Sequence, residues 1–459
     1  MVRKSKLFFY DLNAKINVEL GSNDKLYLSG YFGRDVLDMM KMFNFEWGNN
    51  TGSLRWNHLF SPKVFSNTTI IYTDYMYQLK SEFAGTSMTW VSNMKDVGLK
   101  YDINYYLNTN NSLQTGIQAV YHSYYPGEFD IEYRTKVEGK EKKQNVEFEF
   151  PESHAMEYAG FLSNEQKLGE RLVADYGVRF SGFESRGKST WYKTDEKHKI
   201  VDTLKYDDFG DSYNFWWGLE PRVSMRYKTT ESSSIKAAYS RTMQYVQIAS
   251  NSIGGSPLDV WFPASPYVKP QISDQFILGV FKNLKENMFE TSIEVYYKNM
   301  QNQIDFRDNA ELLLNDKIET DLRFGKGYSY GAEFMINKKV GKLNGWVSYT
   351  WSRAWREFPE LNDGKRYKAP YDRPHNFSIV GNYEVSQRLS LSTMWIYLSG
   401  VPATLPTGRY TYGNTLLPVY SDKNASRLPD YHRLDLGIVW KCRPVEGRKY
   451  FWDLSFSVY

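Results

Sequence analysis

Alternation of apolar and polar positions with a period of two dominates this chain, and helical periodicity is scarce. Thr69, Ile71, Thr73, Tyr75 and Tyr77 fall on one face of a predicted strand, and Tyr101, Ile103 and Tyr105 on another. Phe377, Ile379, Gly381 and Tyr383 precede a turn and then Leu389, Leu391, Thr393, Trp395 and Tyr397. Leu434, Leu436, Ile438 and Trp440 alternate with Arg433, Asp435, Gly437 and Val439. Trp452, Leu454, Phe456 and Val458 repeat the pattern at the end. One face is apolar and the other carries Ser, Asn, Gly, Asp or Arg. That is the pattern expected of strands with lipid outside and a wet or plugged lumen inside.

The connections alternate too. Short polar turns are predicted near 21–24, 61–63, 108–111, 163–165, 228–231, 283–286, 338–341, 386–388 and 444–447. Between them lie long polar segments with Gly and Pro, near 126–145, 184–213, 251–270, 356–372 and 401–430. Tight turns on one rim and long loops on the other are the asymmetry of outer-membrane barrels. Nine turns imply roughly 18 strands, too many for most open sheets, and closure removes the exposed edges. The predicted fold class is all-β, an antiparallel transmembrane β-barrel. A soluble stack fits poorly, and a propeller should show a blade repeat that is not visible.

Composition supports the same reading. Aromatic residues make up 17% of the 459, with 37 Tyr, 27 Phe and 13 Trp, which suits the aromatic girdles at a membrane interface. No run of 18 apolar residues occurs and mean hydropathy is −0.58, so helical spans are excluded while a barrel is not. A net charge of +4 with interspersed signs gives no nucleic-acid footprint. The single cysteine, Cys442, cannot form an internal disulfide. The basic start is followed by Leu7-Phe8-Phe9-Tyr10-Asp11, too soon broken by charge for a signal-peptide core. An export signal is therefore expected either to have been removed or to lie outside a fragment.

A series of strings resembles the barrel region of TonB-dependent receptors of Bacteroidetes-type outer membranes. It runs from Leu7 to Lys15 through Leu54-Arg55-Trp56-Asn57-His58, Asp259-Val260-Trp261-Phe262-Pro263 and Asn302-Gln303-Ile304-Asp305-Phe306-Arg307. It continues with Pro370-Tyr371-Asp372-Arg373-Pro374-His375, Leu398-Ser399-Gly400-Val401-Pro402 and Pro429-Asp430-Tyr431-His432-Arg433. The resemblance implies a 22-stranded barrel around an N-terminal plug and energised uptake of a scarce ligand such as a siderophore, glycan or peptide. Its implied partners are outer-membrane lipid, the TonB complex, reached through an N-terminal region, and, as a candidate, a surface lipoprotein. It places Leu7 at about the fourth barrel strand and Tyr459 on the penultimate one, so this chain is expected to be a single incomplete barrel domain over 1–459 without plug or closing strand. A binding or structural outer-membrane component that does not transport is the alternative.

Site chemistry is sparsely encoded. Tyr124, Tyr125, Trp261, Phe262, Tyr267, Trp355, Tyr410 and Tyr412 lie in or beside the long loops, where aromatics could stack on a ligand or simply pack. Arg307, Asp308, Arg323, Arg353 and Arg356 are candidates for facing the lumen and meeting a plug or an anionic substrate, against the plainer reading of wall polarity. The six histidines form no short two-ligand motif, so no metal or cofactor is expected. Asp207, Asp208, Asp211 and Glu184 lack EF-hand spacing. Gly325-Lys326-Gly327 is no P-loop, and no Gly-x-Ser-x-Gly or ordered triad marks an enzyme.

Overall fold

Strand pairing organises nearly everything in the computed structural model, which describes residues 5–39, 42–83, 86–137, 140–149, 152–196, 198–208, 210–249, 260–308, 310, 315, 317–442 and 452–459. Twenty strands form one sheet in which every pairing is antiparallel. Two of the twenty, Lys140–Glu149 and Tyr367–Lys368, extend loops, so eighteen build the wall. The wall strands are β1 (Lys6–Glu19), β2 (Asp24–Met39), β3 (Phe43–Ser61), β4 (Val64–Phe83), β5 (Thr86–Asn108) and β6 (Asn111–Val137). They continue as β7 (Ser153–Leu168), β8 (Leu172–Arg186), β9 (Ser212–Thr230), β10 (Ser233–Gln244), β11 (Gln271–Leu284) and β12 (Phe289–Phe306). The last six are β13 (Leu322–Lys338), β14 (Leu343–Glu357), β15 (His375–Glu384), β16 (Leu389–Leu398), β17 (Tyr431–Lys441) and β18 (Asp453–Val458).

Register turns the period-two pattern into a belt. Side chains of directly paired residues share a face. Tyr227 pairs with Ile235, Ile235 with Val280, Val280 with Ile293, Ile293 with Phe334, Phe334 with Tyr349 and Tyr349 with Phe377. Leu391 likewise meets Ile438, and Ile438 meets Phe456. These rows point outward: Val280, Ile293, Phe334, Ile438 and Phe456 are all well exposed. Such a belt is ruinous in water and stabilising against acyl chains.

The inner face is polar and linked. His122 Nδ1 lies 2.8 Å from Asp96 and its Nε2 3.7 Å from Glu157. Arg179 stands between Glu157, at 4.0 Å, and Glu220, at 3.7 Å. Ser181 donates to Glu220 at 2.6 Å and shares a 2.8 Å hydrogen bond with Tyr245. This chain of partners crosses five adjacent strands, β5 to β9, and satisfies groups that the lipid side could not.

Four expectations are corrected. The turn expected at 163–165 falls at 169–171, because β7 runs on to Leu168. Ser163, Asn164 and Glu165 are wall residues whose polarity imitates a turn; Asn164 lies 3.2 Å from Asn111 and 3.0 Å from the Tyr176 hydroxyl. The segment 126–145 is strand rather than loop: Pro126-Gly127 forms a bulge in β6, two residues opposite Ser92, and β6 continues to pair with Lys140–Glu149. The face holding Thr69, Thr73 and Tyr77 is the inner one, since Thr73 pairs with Asp96 and Tyr77 is buried, while Ile70 and Tyr72 face outward beside Leu99 and Val97. A long connection at 307–321, ending in a short 3-10 turn (Ile318–Asp321), had no counterpart among the expected loops. The turn expected at 444–447 and the first nine residues of the 251–270 loop lie outside the described residues.

Candidate ligand vestibule

Loops on the long-loop rim are anchored by carboxylates, two of them buried, and the anchors occupy the strings that stood out in the sequence. Asp372 is fully buried, accepts the Ala354 N–H at 2.7 Å, and is paired with Arg427 and, at 3.5 Å, with Arg353. Arg427 also donates to the carbonyls of Asp372 and Gly400, both at 2.8 Å. Asp430 accepts the Gly400 N–H at 2.8 Å and the Tyr397 hydroxyl at 2.6 Å. Asp305, also buried, takes Tyr367 at 2.8 Å, Lys423 at 3.1 Å and Arg356 at 3.3 Å. A buried carboxylate gathers cations because leaving it unpaired costs several kcal/mol. The two loops 358–374 and 399–430 are thereby fixed to β12, β14 and each other.

This accounts for most of the predicted charged residues. Arg353 and Arg356 hold Asp372 and Asp305. Arg307 bonds Asp321 at 2.5 Å across its own loop, with Asp308 exposed beside it. Arg323, largely buried, reaches Glu360 at 3.0 Å and the carbonyls of Thr320 and Leu322. Glu360 in turn lies 2.6 Å from His198, so one carboxylate joins three segments.

The predicted aromatics divide. Tyr124, Trp261 and Phe262 come together in the lining of one partly enclosed cavity of about 110 Å³, between β6, β8 and the loops 187–211, 260–270 and 307–321. Phe262 packs on Val268, Ile304, Phe306 and Leu322, forming the cavity's rigid back. Tyr124 packs on Ala155, Phe183, Tyr245 and Ala264. Tyr267 packs against Trp191 in a tilted pair with ring centroids 4.6 Å apart, and its hydroxyl accepts the Thr194 N–H. The other four lie elsewhere. Tyr125 places its hydroxyl 3.4 Å from both Glu128 and Glu149 at the base of the extended hairpin. Trp355 lies under the Arg366 guanidinium, 4.3 Å from the ring centre. Tyr410 and Tyr412 stand exposed on the hairpin formed by Pro406–Tyr412 and Thr415–Tyr420.

Sequence reasoning missed Trp191, Tyr192, Tyr213, Lys317 and Glu319, all part of the same lining. The first three obey the aromatic-in-a-loop criterion already applied to Trp261; the last two lie in the loop that was not foreseen. Glu319 is the chemically distinctive one. Burial pushes its carboxyl up to about 7, with Ser265 the group that offsets the shift, and among the described residues no Lys, Arg or His comes within 4.0 Å of it. Two further polar atoms of the lining residues, Trp191 Nε1 and Tyr124 Oη, are buried without a hydrogen-bond partner among the described residues. Apolar rings with a few convergent, unsatisfied polar groups are what a small-molecule site looks like before its ligand arrives.

Comparison with known proteins agrees with this architecture. The family model described as TonB dependent receptor-like, beta-barrel matches residues 6–459. No curated protein sequence matches the chain. Among solved structures, the siderophore receptor PiuA from Acinetobacter baumannii is similar at 12% identity with a TM-score of 0.67, over 99% of this chain and 70% of that one. The ferric citrate transporter FecA, in its unliganded form, gives 13% and 0.66, over 99% and 65%. The copper transporter OprC gives 11% and 0.67, over 95% and 63%. The chain thus spans about two thirds of the length of these structures, and at such identities the likeness is one of fold. With the family match across nearly its whole length and a lipid-facing belt around its wall, this chain belongs to the TonB-dependent receptor-like β-barrel family and is an outer-membrane protein.

Proposed function

We propose that this chain forms the wall and the extracellular vestibule of a receptor for energised uptake of a scarce ligand, of the siderophore, metal-complex, glycan or peptide kind. The observation that carries this is the cavity between the loops: a recess lined by aromatic residues, backed by Phe262, with the Glu319 carboxyl that has no ion-pair partner among the described residues. The related structures carry the names of siderophore, ferric citrate and copper receptors. A barrel supplies surface and passage; the pull that admits the ligand needs a plug and the TonB complex, which we assign to the receptor as a whole. Its work is binding and passage rather than catalysis.

The test is ligand binding by outer-membrane vesicles carrying this chain, set against vesicles without it. The panel comprises ferric siderophore complexes, oligosaccharides and short peptides. Saturable binding of one class, weakened about tenfold or more by Trp261→Ala, is the expected result. No saturable binding across the panel would reject the receptor reading.

A further inference from the structure

The cavity's chemistry goes further, and the argument rests on the vestibule being the receptor's binding site. Its lining includes the rings of Trp191, Tyr192, Tyr213 and Trp261 and the Glu319 carboxyl. The face of an aromatic ring is electron-rich and attracts cations, most strongly where water is excluded. One such contact already exists here: the Lys317 ammonium lies 5.4 Å from the centre of the Tyr192 ring. That lysine does not reach Glu319 within ion-pair distance, so among the described residues the carboxyl has no counter-charge. Elsewhere on this rim each buried carboxylate has gathered its cations, as Asp305 and Asp372 show. At Glu319 the described residues supply none.

We propose that this cavity receives a cationic nitrogen group of the ligand, guanidinium or ammonium, held by the Glu319 carboxylate among the rings of Trp191, Trp261 and Tyr213. The guest supplies the counter-charge that Glu319 lacks among the described residues, and its cation is drawn to the electron-rich aromatic rings of the lining. At about 110 Å³ the space admits one such group with a short stem, not a whole metal complex or oligosaccharide. The cavity is therefore a recognition pocket for one arm of a larger ligand. Lys317 sets a sign: its positive charge opposes a cationic guest and would favour an anionic one.

The experiment uses the full chain in detergent micelles and isothermal titration with ethylguanidinium, its neutral counterpart ethylurea, and ethylphosphonate as an anion. Ethylguanidinium is expected to bind about tenfold or more tightly than ethylurea, as one charge-assisted pair on an aromatic wall is worth. Glu319→Gln, close in shape, should remove that preference, and Lys317→Met should tighten ethylguanidinium about threefold. Heat-modified migration of each variant verifies that the wall has formed. Equal affinities for the two matched probes, no binding of ethylguanidinium, or preferential binding of ethylphosphonate weakened by Lys317→Met would each overturn the cation assignment. The vesicle panel separates the two readings: saturable binding there without cation preference here ends only the present inference, whereas an empty panel ends the receptor reading as well.

Discussion

Asp372→Asn is the sharpest probe of how the long loops are held. The wild-type carboxylate is fully buried and accepts the Ala354 N–H at 2.7 Å while facing Arg427 and Arg353. Asparagine keeps an acceptor for that N–H but removes the charge, leaving two guanidiniums whose side chains are only 25% and 32% exposed. Breaking a buried pair by removing one partner costs about 3–5 kcal/mol. Because both arginines retain some contact with water, about 2–3 kcal/mol is the appropriate figure here. The cost falls on loops 358–374 and 399–430, not on the wall, so it should emerge as local opening. At 1.4 kcal/mol per factor of ten, amide exchange in those loops should accelerate about 30- to 100-fold. Exchange across β11–β13 should stay unchanged. Hydrogen exchange followed by mass spectrometry reads both regions in one experiment. Adding Arg427→Gln should recover part of the loss, because the second change removes a charge that the first left stranded. Loop exchange within threefold of the parent would refute the clamp, as would equal acceleration in loops and wall.

Other outcomes follow from the same reasoning. Leu278→Arg, in the outward face at the middle of β11, should destabilise the wall by about 2–4 kcal/mol in lipid vesicles, while Ile277→Arg, facing the lumen, should cost clearly less; equal costs in urea unfolding would show the faces misassigned. Glu319 has a folded value of about 7 against an ordinary 4.5, so its neutral form is the one that packs. Its contribution to holding 307–321 is whole below about pH 4.5 and lost as pH rises through 7, by at most about 3 kcal/mol. Exchange in that loop should therefore quicken over this window, and Glu319→Gln should flatten the profile. Tyr367→Phe removes the 2.8 Å hydrogen bond to Asp305 and should loosen loop 358–374 by about 1–2 kcal/mol, read by the same exchange measurement. Tyr412→Ala, at an exposed hairpin tip, should leave melting unchanged within about 0.5 kcal/mol; a larger loss would mean the tip packs in solution.

The wall was legible because its rule is simple. A strand between lipid and lumen must alternate, and Leu434 to Trp440 obey that so cleanly that their partners Leu391 and Trp395 could be placed on the same side from sequence alone. Errors arose where the lumen intruded. Ser163 and Glu165 are polar because they face inward near a rim, while Asn164 between them faces the other way and bonds the Tyr176 hydroxyl, and local composition cannot distinguish that from a turn. Pro126-Gly127 reads as a break, yet the pair is a bulge within β6, two residues opposite the single Ser92 of β5, and the strand runs on through it. The site was less legible because it is a meeting of segments remote in sequence. Trp191, Trp261 and Glu319 converge only after three loops are folded down. The strings around Asp305, Asp372 and Asp430 resembled functional motifs, but their residues are occupied with each other as anchors.

Those anchors divide each loop into a fixed base and a free end. In the segment 399–430, Gly400, Arg427 and Asp430 are bound at the foot, whereas the hairpin from Pro406 to Tyr420 projects with Tyr410 and Tyr412 exposed. A graft inserted between Pro406 and Tyr420 would inherit a prepared socket and leave the barrel untouched. The molecule is in that sense a display scaffold, in which the outermost surface can be exchanged for another epitope while the membrane-spanning part stays constant.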